Sequence, residues 1–213
     1  MIEVASFTVG PVQENAYLVR RQGADSAVIF DPGDEADRLL AGIEQLGVRL
    51  EAILLTHTHF DHVGAVAPLA KATGAEVWCP ALEREVMLDI QRFVPWPGFG
   101  PFENHDPEHL VEGGERISLA GLDFDVIFTP GHSPGHVSWS LAAEQALFSG
   151  DVLFQGSIGR TDLPFGDHQT LLRSIAGLLD ALPDETVVHP GHMGITTLGA
   201  ERATNPFLQD LVA

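Results

Sequence analysis

Cysteine is nearly absent. Cys79 is the single one in 213 residues, which excludes an internal disulfide and fits a reducing compartment. It follows Val77-Trp78 in a strand-like run, so a buried structural thiol is expected rather than a reactive one. Lysine is equally scarce: Lys71 is the only one among 11 basic residues, which face 30 acidic ones for a net charge of −19. Such a field repels phosphate backbones, so nucleic acid is not an expected partner. The acidity serves general solubility; the alternatives are a salt-rich cytosol or a GC-rich genome that favours Arg over Lys. No apolar run approaches the roughly 18 to 20 residues that span a bilayer, so no membrane contact is expected. Met1-Ile2-Glu3-Val4 begins a strand and lacks the basic start of a signal peptide, which points to the cytoplasm. At 45% hydrophobic and 19% charged, the chain reads as one globular domain over residues 1–213, a monomer or homodimer.

Histidine, by contrast, is concentrated. His57-Thr58-His59-Phe60-Asp61-His62 packs four metal-competent side chains into six residues, directly after the apolar run Ala52 to Leu55. That run reads as a short buried strand, so the cluster sits at a strand end and in the loop beyond it. Imidazole nitrogen with carboxylate oxygen suits zinc, ferrous iron or manganese, whereas a calcium site would be all oxygen. His57 and His59 can project to one side as alternate residues of an extended segment while Asp61 and His62 turn to a neighbouring position, so one cluster can serve two adjacent metals. The same grammar recurs three times: Phe124 to Thr129 runs into Pro130-Gly131-His132, Ala146 to Phe148 into Ser149-Gly150-Asp151, and Thr186 to Val188 into His189-Pro190-Gly191-His192. Four strand ends thus deliver seven candidate ligands, which is how rigid scaffolds build sites.

His57-x-His59-x-Asp61-His62, then His132, Asp151 and His192, resemble the metallo-β-lactamase superfamily in order and approximate spacing, over nearly the whole chain. The resemblance implies an α+β fold, an αββα sandwich of two mixed β-sheets packed face to face with helices outside. It implies that His57, His59 and His132 hold a first metal, that Asp61, His62 and His192 hold a second, and that Asp151 bridges them. Ala27-Val28-Ile29-Phe30-Asp31-Pro32-Gly33 resembles the family's early strand, whose terminal Asp buttresses the site; Asp31 alone also fits a turn ahead of Pro-Gly. His136, in Gly131-His132-Ser133-Pro134-Gly135-His136, is expected to support the ligands rather than to be one.

Phe154-Gln155-Gly156-Ser157-Ile158-Gly159-Arg160-Thr161-Asp162-Leu163-Pro164 and the C-terminal Thr196 to Phe207 are similar to the short, single-domain relatives of glyoxalase II, the hydroxyacylglutathione hydrolases. The implied activity is hydrolysis of a small-molecule thioester, S-lactoyl or another acyl thiol, by water activated between two divalent metal ions, zinc in the first instance with iron or manganese as alternatives. Asp61 is either a ligand alone or also the catalytic acceptor of the water's proton. Arg160 is placed like the basic residue with which glyoxalase II holds glutathione; an ordinary surface salt bridge is the other reading. Two departures leave the thiol open. The full-length hydrolases add a helical C-terminal domain, whereas this chain stops at Ala213, and the tyrosine they place two residues beyond the basic residue is here Asp162. Met193 stands where the relatives more often have glycine. A persulfide dioxygenase, with one ferrous ion on two His and one Asp, is the alternative on the same scaffold. An ordinary β-lactamase is disfavoured by Asp151, where the best-known zinc β-lactamases carry Cys.

The remaining pattern predicts strands near Ile2 to Val9, Ala16 to Arg20 and Ala27 to Phe30, and around Ile117 and Phe124. It predicts helices over Glu35 to Leu46 ended by Gly47, from past Gly64 to Gly74, over Leu82 to Arg92, and over His168 to Leu182. Phe93 to Phe102 holds three prolines, two glycines and four aromatic rings, and so is an irregular loop. It either lids the metal site or packs over the helices as a satellite core or dimer contact.

Overall fold

Val28-Ile29-Phe30 and Ala52-Ile53-Leu54 are apolar at every position because their strands are covered on both faces, and that requirement generates the layers of the molecule. The computed structural model describes residues 1–94 and 96–209. Its first sheet runs in the order β1 (Ile2–Val9), β2 (Glu14–Arg21), β3 (Ser26–Phe30), β4 (Arg49–Leu54), β5 (Glu76–Pro80) and β6 (His109–Val111). The first three strands pair antiparallel and the rest parallel. The second sheet is built from β7 (Arg116–Leu119), β8 (Leu122–Phe128), β9 (Val137–Leu141), β10 (Ala146–Gly150), β13 (Val187–Pro190) and β14 (Thr196–Thr197), in the spatial order β14-β13-β10-β9-β8-β7. Only β10 and β13 pair parallel in it. A small hairpin, β11 (Leu153–Phe154) with β12 (Ser157–Ile158), follows β10.

Between the sheets, Tyr17, Val28, Phe30 and Leu54 of the first meet Phe124, Val126, Trp139 and Phe148 of the second. Phe30 stacks on Phe148 with ring centroids 4.0 Å apart and presents its edges to Phe124 and Trp139. Alternate residues of the same strands face outward. Ile29 and Ile53 pack with Leu39 and Ile43 of α1 (Ala36–Leu46) and with Val66 and Leu69 of α3 (Val66–Thr73); Cys79 lies fully buried in that layer, as a structural thiol. On the far side, Leu171, Ile175 and Leu178 of α6 (His168–Ala181) cover Leu147 and Val188. The result is the αββα sandwich.

Most element boundaries follow the sequence pattern. Gly47 ends α1 in the left-handed conformation at φ 63°, and the side chain of Asp167 caps α6 by accepting from the Thr170 amide at 2.6 Å. Two expectations are corrected. Leu82 to Arg92 is not one helix: a 3₁₀ turn over Ala81–Glu83 leads into α4 (Arg84–Leu88), the backbone straightens at Asp89 (φ −155°), and α5 (Ile90–Phe93) restarts with its first amide bonded to Asn104 Oδ1 at 3.0 Å. Asp61 and His62 do not lie in an open loop either. They occupy a single helical turn, α2 (Phe60–Val63), whose entry residue is His59.

In the aromatic loop, where Pro95 lies outside the described residues, Phe99 and Phe102 are half-buried against the helical layer of the first sheet. Phe60 is their anchor, with ring centroids 4.7 Å from Phe99 and 6.0 Å from both Phe102 and Trp96. The packing reading of this loop therefore holds for Phe99 and Phe102, while Trp96 stays 41% exposed.

Candidate metal centre

Strand ends of both sheets converge on one point. Asp31 terminates β3, Thr56 to His59 follow β4, His132 and His136 lie between β8 and β9, Asp151 follows β10, and His192 follows β13. Close approach at this point depends on glycine. A Cβ on Gly191 would run into Asp151 Oδ1 and into the His62 ring, so only glycine lets the last loop lie against them.

The seven predicted ligands are brought together. His57, His59 and His132 form one group and Asp61, His62 and His192 another, each with donor atoms within 4.8 Å of one another. Asp151 stands between: its Oδ1 is 3.4 Å from His62 Nε2, and its Oδ2 is 3.4 Å from His132 Nε2 and 3.6 Å from His192 Nε2. Asp61 Oδ2 lies 3.3 Å from His192 Nε2. The outer nitrogens of the histidines are occupied. His62 Nδ1 donates to Asp31 Oδ2 (3.1 Å), His132 Nδ1 to the Arg160 carbonyl (2.8 Å), and His192 Nδ1 to the Gln13 carbonyl (3.3 Å). Thr56 Oγ1 gives its own hydrogen to Asp31 Oδ2 (2.6 Å), so His57 Nδ1 donates to it at 3.1 Å. Each of these rings therefore turns Nε2 inward, the nitrogen left to bind a cation. His59 presents Nδ1 instead, 2.8 Å from His132 Nε2. Among the described residues, His57 Nε2, His62 Nε2 and Asp151 Oδ1 are buried without a hydrogen-bond partner. Buried polar atoms are rarely orphaned, and a divalent ion is the partner that these nitrogen and carboxylate donors suit.

Asp31 and His136 hold the donors in place. Asp31 adopts a left-handed φ of 42° and accepts from the Thr56 amide, the Thr56 hydroxyl and His62, which joins β3 to both ligand groups. His136 accepts the Asp151 amide on Nε2 (3.1 Å), so its Nδ1 donates to Thr129 Oγ1 (3.0 Å), and its ring stacks on His57. Both its nitrogens are engaged away from the donors. Arg160 lies at the rim. Its guanidinium forms two 2.7 Å bonds to Asp162 and sits 5.7 Å from the Trp96 ring centre.

The two groups differ electrostatically. Burial, compounded by His62 and His59, holds His57 well below the usual histidine range; burial with His132 alongside brings His59 to about 3. Burial also opposes charge on His62 and His192. There the carboxylates of Asp151 and Asp61 win, and both are raised. Asp151 is likewise depressed against its burial, by His62 foremost. His57 and His59 are thus held neutral and ready for a cation, whereas at His62 and His192 the neighbouring carboxylates favour a proton that a bound cation displaces.

Sequence reasoning missed the residues that lock this arrangement. Glu83 is buried and accepts from Thr58 N, Thr58 Oγ1, Ser133 Oγ and Gly135 N. Asn15 and Tyr17 bond the loop that carries His192. Glu14 is fully buried 3.8 Å from His62 Nδ1, and burial raises its carboxyl well above the ordinary range. In the sequence Glu83 looks like one more acid on an exposed helix face, and nothing local marks it. For Glu14 and Asn15 the available signal was a polar start to a strand whose middle, Ala16 to Val19, is apolar but for Tyr17.

Comparison with known proteins agrees with this geometry. A family model described as the metallo-beta-lactamase superfamily matches residues 9–192. The chain is 39% identical over 202 residues to hydroxyacylglutathione hydrolase GloC of Haemophilus influenzae, covering 92% of this chain and 93% of that one. Among solved structures, BLEG-1 B3 metallo-beta-lactamase superposes with a TM-score of 0.91 at 41% identity, over 98% of this chain and all of that one. TTHA1623 in a di-iron-bound form superposes at 0.85 with 46% identity, over 96% of this chain and all of that one. With the sandwich, the converging strand ends and a family match that includes every one of the seven His and Asp donors, the chain belongs to the metallo-beta-lactamase superfamily and has the make-up of its metallo-hydrolases.

Proposed function

We propose that this chain is a glyoxalase II-type thioester hydrolase acting on small acyl thiols with two divalent ions, zinc in the first instance and iron or manganese as alternatives. The observation that carries this reading is Asp151, whose two oxygens reach the His57/His59/His132 group on one side and the Asp61/His62/His192 group on the other. Divalent ions held by these residues would supply the nucleophile, by lowering the pKa of bound water toward neutrality. The protein's part is positional. Asp31 fixes His62 and the Thr56 that orients His57, while His136 fixes the Asp151 backbone. Asp61, with an oxygen turned to His192 and a side chain 15% exposed, is both a ligand and the acceptor for the proton released as water attacks the carbonyl. Arg160, half-exposed on the same rim as Trp96, is where an anionic thiol carrier makes contact by exchange with Asp162. The 39% identity to a protein named as a hydroxyacylglutathione hydrolase supports the thioester class.

The test is elemental analysis of protein purified without added metal, run beside S-lactoylglutathione hydrolysis, nitrocefin hydrolysis and oxygen uptake with glutathione persulfide. About two divalent ions per chain with thioester turnover is the expected result. About one iron with oxygen uptake and no hydrolysis would replace this reading with the dioxygenase, and preferential turnover of the β-lactam would move it to the activity named for BLEG-1.

A further inference from the structure

Asp31 serves both donor groups, but the loops that carry His132 and His192 are held by different parts of the chain. His57, His59 and His132 are tied through Glu83, which takes two bonds from Thr58, between the first two histidines, and two from Ser133 and Gly135, beyond the third. None of its bonds reaches the loop that carries His192. That loop, residues 190–193, is anchored from β2 in the opposite sheet. Pro190 O accepts from Tyr17 Oη at 2.8 Å and from Asn15 Nδ2 at 3.2 Å, Gly191 O accepts from Asn15 N at 2.8 Å, and Met193 O accepts from Asn15 Nδ2 at 3.0 Å. Thr8 Oγ1 donates to Asn15 Oδ1 at 2.8 Å, which fixes the amide with both its hydrogens toward the loop.

His192 needs such an anchor. Its side chain is 22% exposed, more than that of His62 or His132; apart from the 3.3 Å approach of Nε2 to Asp61, itself one of the donors, its ring is held through Nδ1 by the 3.3 Å contact to Gln13 O, part of the turn into β2. Met193, next to it, sits at a left-handed φ of 68°, a conformation unfavourable for a side chain bearing Cβ. An exposed ligand beside a strained residue is placed by its backbone, and here that backbone is bonded to Asn15 and Tyr17.

We propose that Asn15 and Tyr17 are positioning residues for the second metal position and Glu83 is the positioning residue for the first, so that the two occupancies are set by separate clamps. This inference rests on the two-ion reading of the site. If it holds, weakening one clamp changes the ratio of the two affinities, which a general loss of stability does not do.

The experiment is titration of the chelator-stripped 213-residue chain with zinc by calorimetry and with cobalt by visible absorption, for the wild type, Tyr17→Phe, Asn15→Ala and Glu83→Gln. Thermal unfolding of each metal-free protein is recorded alongside. The wild type is expected to take two equivalents. Tyr17→Phe is expected to weaken the second about fivefold and Asn15→Ala tenfold or more, with the first equivalent changed less than twofold. Glu83→Gln is expected to weaken the first more than the second; if it does not fold, the Tyr17 and Asn15 variants decide. A wild type that binds one equivalent overturns the two-ion reading and this inference with it. Two equivalents in the wild type, with both or neither weakened in Tyr17→Phe and Asn15→Ala, overturns the inference alone.

Discussion

Arg160 and Asp162 show how one carboxylate decides what a cation does. The bidentate pair holds Asp162 near a pKa of about 2 and keeps the guanidinium occupied at the rim. Asp162→Ala is expected to raise kcat/KM for S-lactoylglutathione severalfold by freeing Arg160 for an anionic carrier, and Arg160→Ala to lower it; steady-state kinetics on both variants checks this, and equal effects on an uncharged thioester would count against it. His189 offers a second test. Burial brings it to about 4, its Nδ1 has no partner among the described residues, and its ring stacks on Phe148 at 4.8 Å. A histidine depressed in the folded state contributes stability that is full above its unfolded pKa of about 6.5 and is lost as pH falls through 4. His189→Phe is therefore expected to remove on the order of 3 kcal/mol of acid destabilisation between those limits, read as a shallower pH dependence of urea midpoints than in the wild type.

At the scale of elements, short segments rather than long ones shape the mouth of the site. α2 is a single turn, yet it sets Asp61 and His62 toward the donors and Phe60 under the aromatic loop. Phe99 and Trp96 contact the same ring from different depths, so their substitutions should separate. Phe99→Ala is expected to cost on the order of 2 kcal/mol of stability, less than the ~3–5 kcal/mol of a fully buried ring. Trp96→Ala is expected to leave stability nearly unchanged and to raise KM through lost contact with substrate at the rim it shares with Arg160. Thermal unfolding and kinetics on the two single variants would show this, and a KM unchanged in Trp96→Ala would confine the loop to a packing role.

For the whole molecule, the donors come from both sheets, so an ion bound to them ties the halves together. Chelation is expected to lower Tm, by an amount that corresponds to about 4 kcal/mol for each site held at a thousand times its Kd. Excess zinc should restore it. The net charge of −19 acts on the same balance through self-repulsion. Raising ionic strength from about 0.01 M to 0.1 M shortens the screening length from about 30 to 10 Å and is expected to raise Tm, most clearly in the metal-free protein. A Tm independent of salt would show that the acidic residues are spaced too widely to interact.

The amino-acid sequence by itself determined which side chains are candidate donors and most of the frame. Imidazoles and carboxylates at the ends of apolar runs are local patterns, and so are strands covered on both faces and a helix stopped by Gly47. These depend on neighbours a few residues away, and for that reason His57, His59, Asp61, His62, His132, Asp151 and His192 were legible before any fold was known. The break at Asp89 was not, because the bond that restarts the helix at Ile90 comes from Asn104. Glu83 was equally hidden: an acid on a helix reads as surface until Thr58, Ser133 and Gly135 are folded around it. Asn15 and Tyr17 became part of the site only when β2 met the loop after β13, more than 170 residues away. Which groups can bind a cation is a matter of side-chain chemistry, and the sequence carries it. How firmly each is held is a matter of hydrogen bonds across long stretches of chain, and only the tertiary structure decided those.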